Sequence, residues 1–434
     1  MNSFKTISGW GGYPKTNSEV ISPRSIDEYK INLKKTFIAR GRGRSYGDSA
    51  NYKTVLQTSF LDKIIHFDKI NGLITCEAGI TIKKILENIV PTGWFIPVSP
   101  GTSFATLGGS IASDVHGKNH HRSGSFGEHV KDIRIMLGNG NIENISTENN
   151  SDLFYATCGG MGLTGVILSA TIKLISIKSS QIIQTELKSK SLEDTCSIFE
   201  ENDKAQYSVA WLDCFAKEKS IGKGIITLGE HSEKGNLNFN IKRKVNISKN
   251  FPSFVLNKYS ISIFNKLYYA YHKNNRKRLV HLFDYFYPLD KINNWNRLYG
   301  KNGFIQYQFV IPNDQIVNNL KLIFKKISEF GISPFLSVLK KFGKQNDNLL
   351  SFPMSGYTLA MDIKIDKKLF KSIEELDKVV ANLGGRIYLT KDSLMKEEIF
   401  KNSYTKWKQF EKIREKYGAI NRFRSDQSLR LGLK

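Results

Sequence analysis

The sequence predicts a two-domain α+β protein, and three observations lead there. The chain has 434 residues, beyond the ~100–200 of one ordinary domain. Hydrophobic residues make up 40% and aromatics 12%, enough for packed cores and too much for wholesale disorder. The texture also changes near Ile177, where glycine-rich loops give way to lysine, asparagine, serine and aromatic residues. The expected boundaries are therefore 1–177, 178–384 and 385–434, the last segment returning to the texture of the first.

The elements follow in order. Ser25-Ile26-Asp27-Glu28 has capping-box spacing and opens a helix to about Lys35. Thr36 to Ala39 reads as a short buried strand and Leu73 to Ala78 as another. Thr81 caps a helix with the apolar face Ile82, Ile85, Leu86 and Ile89, ended by Pro91 and Gly93. Asp152 to Ala156 begins a short helix broken at Gly159-Gly160, and Val166 to Ile177 is a long β-rich run. Beyond the boundary, Phe304–Ile311, Phe335–Lys340 and Thr358–Ile363 read as strands flanking helices near Ile316–Phe330 and Lys368–Leu383. That alternation predicts an α+β unit with a substantial antiparallel sheet. A glycine turn at Gly384-Gly385, a short strand and one terminal helix, Lys396–Tyr417, close the chain.

Two loops carry the chemistry. Arg40-Gly41-Arg42-Gly43-Arg44-Ser45-Tyr46-Gly47-Asp48 interleaves arginines with glycines, giving charged donors and accessible amides of the kind a diphosphate needs. It is not the Rossmann fingerprint, because its third glycine comes one position late and no helix follows. The stretch Pro97–Val130 is rich in glycine and carries four histidines. There Gly108-Gly109 allows backbone to lie flat against a ligand, and His116 to His121 gathers polar side chains after a short apolar run.

Composition bounds the partners. The formal net charge is +24, from 64 Lys/Arg against 40 Asp/Glu, which points to an anionic partner: nucleic acid, a phosphorylated substrate or an acidic lipid surface. Residues 242–278 hold ten Lys/Arg and no Asp or Glu. Aromatics interleave with those lysines, the pattern of an interfacial segment or of a basic surface over part-buried helices. Cys76, Cys158, Cys196 and Cys214 are scattered without metal-ligand spacing, so neither zinc nor a disulfide framework is expected and a reducing, cytoplasmic setting is. No apolar leader or run of ~18 apolar residues is present.

Five segments in order, ARGRGRSYGDSA, the stretch Pro97–Val130, GGMGLTGVILSATIKL, FIQYQFVIP and GGRIYLTKDS, resemble the decaprenylphosphoryl-β-D-ribose 2′-oxidase family. That family belongs to the vanillyl-alcohol-oxidase/p-cresol-methylhydroxylase flavoproteins. The likeness runs from Gly9-Trp10-Gly11 nearly to the C-terminus. It implies a PCMH-type FAD-binding domain of two α/β subdomains and an α+β cap domain with an antiparallel sheet. Residues 178–384 would form the cap, closing over substrate.

Carried over residue by residue, the resemblance implies that Arg40, Gly41, Arg42, Gly43, Arg44, Ser45, Tyr46, Gly47 and Asp48 hold the pyrophosphate. Gly101, Thr106, Leu107, Gly108, Gly109, Ser113, His116, Gly117 and Asn119 would line the rest of FAD. Val166 would lie toward the adenine, and Tyr388 and Lys391 would face the isoalloxazine. The loop Gly41–Ser45 lacks the His or Cys by which many relatives tether flavin, which implies non-covalent FAD. Lys391 is expected either to stabilise negative charge near the ring or to act as base, with Tyr46 and His116 as further candidates for proton handling or ring positioning. In the cap, Gln308, Lys340, Phe342, Thr358 and Ala360 match substrate-pocket positions, and Trp211 is a candidate apolar wall. Ala360 stands where members sensitive to covalent nitroaromatics carry cysteine, and Thr358 where asparagine is common. That departure bears on pocket polarity, not on hydride chemistry.

The function so implied is oxidation of the C2′ hydroxyl of a polyprenyl-phosphate-linked pentose, with a short-chain reductase as partner and peripheral membrane contact through 242–278. A soluble alditol or aldonolactone oxidase acting on free sugars is the alternative on the same fold. A non-enzymatic basic binding protein would explain the charge but not the glycine loops. No recognition-helix or RNP-like pattern supports nucleic-acid binding.

Overall fold

The computed structural model describes residues 2–216, 218–241, 245–252 and 255–434. Its sheets fall on two sides of the change in texture. A four-stranded sheet, ordered Asn2–Ser8, Lys15–Ile21, Thr54–Gln57, Ile38–Arg40, mixes one antiparallel pair with two parallel ones. Beside it, five antiparallel strands run in the order Ile64–Asp68, Leu73–Glu77, Val166–Lys173, Val130–Met136, Ile142–Ile145. Residues 181–387 build an eight-stranded antiparallel sheet. Its order is Arg276–His281, Gln181–Ser189, Gly224–His231, Tyr207–Leu212, Pro334–Phe342, Gly356–Lys364, Phe304–Pro312, Arg386–Ile387. The fold is α+β.

Local chemistry explains the elements. The Ser25 side chain accepts the Glu28 amide and starts the helix Ile26–Ile31. Thr81 caps Ile82–Ile89 in the same way, and Ile82, Ile85, Leu86 and Ile89 are fully buried. Each contributes roughly 1.5–3 kcal/mol by burial, so an Ile85→Asp change would strip this helix from its sheet. One expectation fails at the C-terminus, where two helices replace the single one. Glu397–Ser403 and Trp407–Lys416 are separated at Tyr404, whose ring is buried and whose hydroxyl donates to the Ile387 carbonyl at 2.7 Å. Docking that ring turns the chain where the sequence offers neither glycine nor proline.

Three contacts bind the two sheet systems around a shared cavity. Asp290 accepts from the Ser103 amide at 2.6 Å, the Ser103 hydroxyl at 2.7 Å and the Thr102 hydroxyl at 2.8 Å. Asp114 is buried at φ 38° and gathers donors from both sides. Ser125 Oγ (2.7 Å) and the Gly127 amide (2.8 Å) come from its own loop; Asn346 and Asn348 Nδ2 (both 2.8 Å) and Ser351 Oγ (2.6 Å) come from the loop that follows the strand Pro334–Phe342. Near the chain's end, Arg430 pairs with Asp48 at 2.7 Å and Asp392 at 2.9 Å, locking the arginine–glycine loop to the C-terminal segment.

Candidate active site

The cavity has a volume of about 820 Å³ and runs between the glycine loops and the open face of the eight-stranded sheet. At one end its wall is backbone and small side chains: Gly41, Gly43, Ser45, Gly101, Thr106, Gly108, Gly109 and Ser113. A Cβ built on Gly101 would meet no atom within 4 Å, so this position leaves room for a ligand, not for packing. Arg44 stacks its guanidinium 4.1 Å from the Trp10 ring and 5.1 Å from Phe104, and its Nε is buried without a hydrogen-bond partner. An orphaned guanidinium N–H beside accessible glycine amides fits the diphosphate of a dinucleotide. The residues present therefore fit FAD.

At the other end the wall is aromatic and cationic. Trp211, Tyr268, Tyr285 and Phe286 line it with Leu336 and Val338, and Trp211 meets Tyr268 edge-on at 4.8 Å. Three lysines face this cavity: Lys118, Lys340 and Lys391. Burial pushes Lys118 down to about 7, Lys340 to about 8 and Lys391 to about 7. Lys340 lowers the other two further. Lys118 donates to the Tyr285 carbonyl and lies 4.2 Å from that ring, Lys340 reaches His116 Nδ1 at 3.5 Å, and Lys391 sits 3.9 Å above the Tyr46 ring. No carboxylate pairs with any of them among the described residues.

His116 and Gln308 meet where the two walls join. The Gln308 amide donates to His116 Nε2 at 2.9 Å and to Thr358 Oγ1 at 3.1 Å. The imidazole lies among Phe342, Phe352 and Tyr388, and burial together with Lys340 holds it well below the usual histidine range. It is therefore neutral with Nε2 occupied, a geometry for positioning Gln308, not for moving protons. Burial likewise keeps the Tyr46 phenol well above its ordinary range.

Of the residues singled out in the sequence, Gly41, Arg42, Gly43, Arg44, Ser45, Tyr46, Gly101, Thr106, Gly108, Gly109, Ser113, His116, Trp211, Gln308, Lys340, Ala360, Tyr388 and Lys391 reach the cavity wall. Others are not brought there. The Arg40 guanidinium is taken by the carbonyls of Ser8 and Ala50 and by Asn51, so it shapes the loop from behind. Gly47 presses on the Asp392 carbonyl, 1.7 Å from where a Cβ would stand, and Asp48 is held by Arg430. Leu107 and Val166 are core. Asn119 ties the Pro97 carbonyl at 2.9 Å and crowds Gly117, whose Cβ would stand 2.5 Å from its Oδ1. Phe342 meets the His116 ring edge-on at 4.7 Å, and Thr358 donates to the Phe309 carbonyl at 2.8 Å.

Lys118, Gln306 and Asp290 are wall residues that sequence reasoning missed. Lys118 stood within the histidine-rich run and carried a signal; Gln306 and Asp290 carried none.

Comparison with known proteins agrees with this geometry. The family model described as FAD binding domain matches residues 20–146. The decaprenylphosphoryl-β-D-ribose oxidase of Mycolicibacterium smegmatis is 34% identical over 99% of this chain and 98% of its own. The chain belongs to the decaprenylphosphoryl-β-D-ribose oxidase family. It is an FAD-dependent oxidoreductase acting on a CH–OH group. More distant similarity reaches an uncharacterised protein of Streptomyces coelicolor, 27% identical over 82% of this chain and 100% of its own. A putative D-arabinono-1,4-lactone oxidase of Neurospora crassa is 26% identical over 41% of this chain and 34% of its own.

Proposed function

We propose that this enzyme oxidises the C2′ hydroxyl of a polyprenyl-phosphate-linked pentose to the ketone, using FAD held without a covalent bond. The observation that carries this reading is the pair Lys118 and Lys340, buried cations without a carboxylate partner beside an aromatic wall. A phosphodiester would neutralise them, and the first isoprene units would meet Trp211, Tyr268 and Tyr285. The M. smegmatis relative is named for such a substrate. Residues 1–177 and 385–434 would form the cofactor-binding unit and 178–384 the cap.

Bound FAD supplies the acceptor for a hydride from the carbinol carbon. The chain's own residues do the rest. Lys391 orients the hydroxyl and stabilises negative charge developing in the site. Tyr46 offers a neutral hydroxyl, and Gln308, held by His116 and Thr358, presents a fixed amide. The Gly41–Ser45 loop offers neither His nor Cys for a tether, and His116 Nε2 is engaged by Gln308.

The keto product calls for a reductase of the short-chain type to complete an epimerisation in cell-envelope glycan synthesis. Contact with a membrane would bring the lipid. No helix among the described residues is long and apolar enough to cross one. On the helix Lys258–Tyr271, however, Tyr259, Ile263, Leu267 and Tyr271 recur at every fourth position on an exposed face, among exposed Lys258, Lys266 and Lys273. Tyr268 of the same helix lines the cavity. Residues 242–244 and 253–254 of the basic segment lie outside the described residues. Sedimentation with anionic vesicles should carry the protein down, and Leu267→Glu should release it.

The deciding experiment is anaerobic mixing of the yellow enzyme with polyprenyl-phosphoryl-ribose. The flavin band should bleach with this substrate and not with free ribose, an alditol or an aldonolactone. Bleaching by the free sugars alone would favour the soluble-oxidase alternative, to which the similarity with lactone oxidases lends support.

A further inference from the structure

Asp362 has no part in the chemistry above, yet it is a carboxylate buried to 1% exposure on the strand Gly356–Lys364. Gln306 Nε2 donates to its Oδ1 at 2.5 Å and the Tyr299 hydroxyl to its Oδ2 at 3.2 Å. On the far side, the Lys391 amine lies 3.9 Å above the Tyr46 ring. Behind them, Tyr46 meets Phe304 edge-on at 5.6 Å, and Phe304 stacks on Tyr299 at 4.0 Å. Asp362, Tyr299, Phe304 and Tyr46 thus form a continuous run of contacts with the lysine seated at its end, and Gln306 also holds the carboxylate. A buried carboxylate with only neutral donors is disfavoured unless a cation acts on it. Lys391 is the cation that does so.

We infer that Asp362 is a positioning residue for Lys391: through Tyr299, Phe304 and the Tyr46 ring it seats the lysine at the cavity wall. The groups that bear on Lys391 come from several elements. Lys340, on the neighbouring strand Pro334–Phe342, disfavours a second positive charge, and His116 is neutral. Tyr46 does not ionise, and Tyr299 and Asp290 act only on the Tyr46–Asp362 side. Burial brings Lys391 down to about 7 while Asp362 opposes that fall. Asp362 itself is pushed up to about 6 by burial, against the Gln306 hydrogen bond and Lys391. Removing the carboxylate removes the charge that holds the lysine up, so its midpoint should drop. Each unit of drop is a tenfold loss in the ratio of ammonium to amine.

This inference rests on Lys391 being the working lysine of the proposed reaction, but its test does not depend on turnover. The FAD-loaded enzyme, without substrate, is labelled with trace acetic anhydride across pH 5–10, and the Lys391 peptide is read by mass spectrometry against an exposed lysine. Asp362→Asn should move the labelling midpoint of Lys391 downward by about one unit, and the acid-side change of the bound flavin's visible spectrum should move with it. Asp362→Glu should restore most of the shift. If Asp362→Asn does not fold, Tyr299→Phe, which removes one donor from the carboxylate, should give a smaller shift in the same direction. An unmoved midpoint in a folded, FAD-loaded variant overturns the inference. A shifted midpoint together with full turnover by Lys391→Ala would leave it standing and sink the proposed chemistry instead.

Discussion

The two walls of the cavity bind by different means. The glycine-loop wall presents backbone, with few side chains and one orphaned guanidinium, Arg44. The sheet side presents side chains: Lys340 on its strand, Lys118 reaching in from the histidine-rich loop, and a band of aromatics beside a rigid antiparallel frame. Backbone donors fixed by loops suit a large ligand that stays, since their directions do not depend on side-chain rotamers. Lysines without a carboxylate partner suit a ligand that comes and goes, since a compact ammonium takes any oxygen that replaces lost solvation. On the proposed reading the difference separates a cofactor side from a substrate side, and the variants below test that separation.

The largest effect should come from the seam between the walls. Lys391→Ala should leave FAD bound but slow flavin reduction by about 10²–10³-fold, the scale of losing one preorganised stabilising group; stopped-flow absorbance measures it. If FAD is lost as well, the seam belongs to the cofactor side alone. Next, Gly101→Val fills the open space at the loop wall and should weaken FAD binding at least tenfold by fluorescence titration. Because Gly101 has no neighbour within 4 Å of a Cβ, a loss of thermal stability in the apoprotein is not expected. A variant that binds FAD normally would move the cofactor away from this loop.

On the sheet wall, Lys118→Met or Lys340→Met should raise KM for a phosphate-bearing substrate about tenfold with kcat changed little. The sign of the pH dependence follows from the lowered lysines. Lys340, brought down to about 8 by burial, carries its charge below that pH and loses it above. Affinity for the phosphodiester should therefore be full in mildly acidic solution and fall as pH rises through 8, measured as KM against pH. An affinity that rises with pH would reverse the assignment. The smallest effect is expected at Ala360, which lines the cavity on the sheet side. Ala360→Cys should keep turnover within about twofold while placing a thiol at the wall, detectable as covalent capture of a nitroaromatic by intact-mass measurement.

Much of this was legible in the chain. The capped helices at Ser25 and Thr81 and the strands Leu73–Glu77, Phe304–Pro312 and Gly356–Lys364 follow from periodicity and turn chemistry, and the wall residues Gly101, Gly108, Lys340 and Lys391 from the family resemblance. These depend on neighbours a few residues apart, or on residues whose motif travels with them. Sequence reading overstated the arginine–glycine loop, where Arg40 and Asp48 point away from the cavity. A run of adjacent residues cannot all face one ligand, and which ones turn back depends on distant carbonyls and on Arg430.

The tertiary structure alone decided the rest. That Asp114 gathers Ser125 and Asn348, that Asp290 clasps Ser103, and that Asp362 stands behind Tyr46 and Lys391 are contacts between residues tens to hundreds of positions apart. The charge state of a lysine belongs to that same class. In the sequence Lys118, Lys340 and Lys391 are three among many lysines. Only folding strips their water and brings them into one cavity without a carboxylate to pair with, and desolvation, which no local pattern encodes, is what turns them from surface charges into a site.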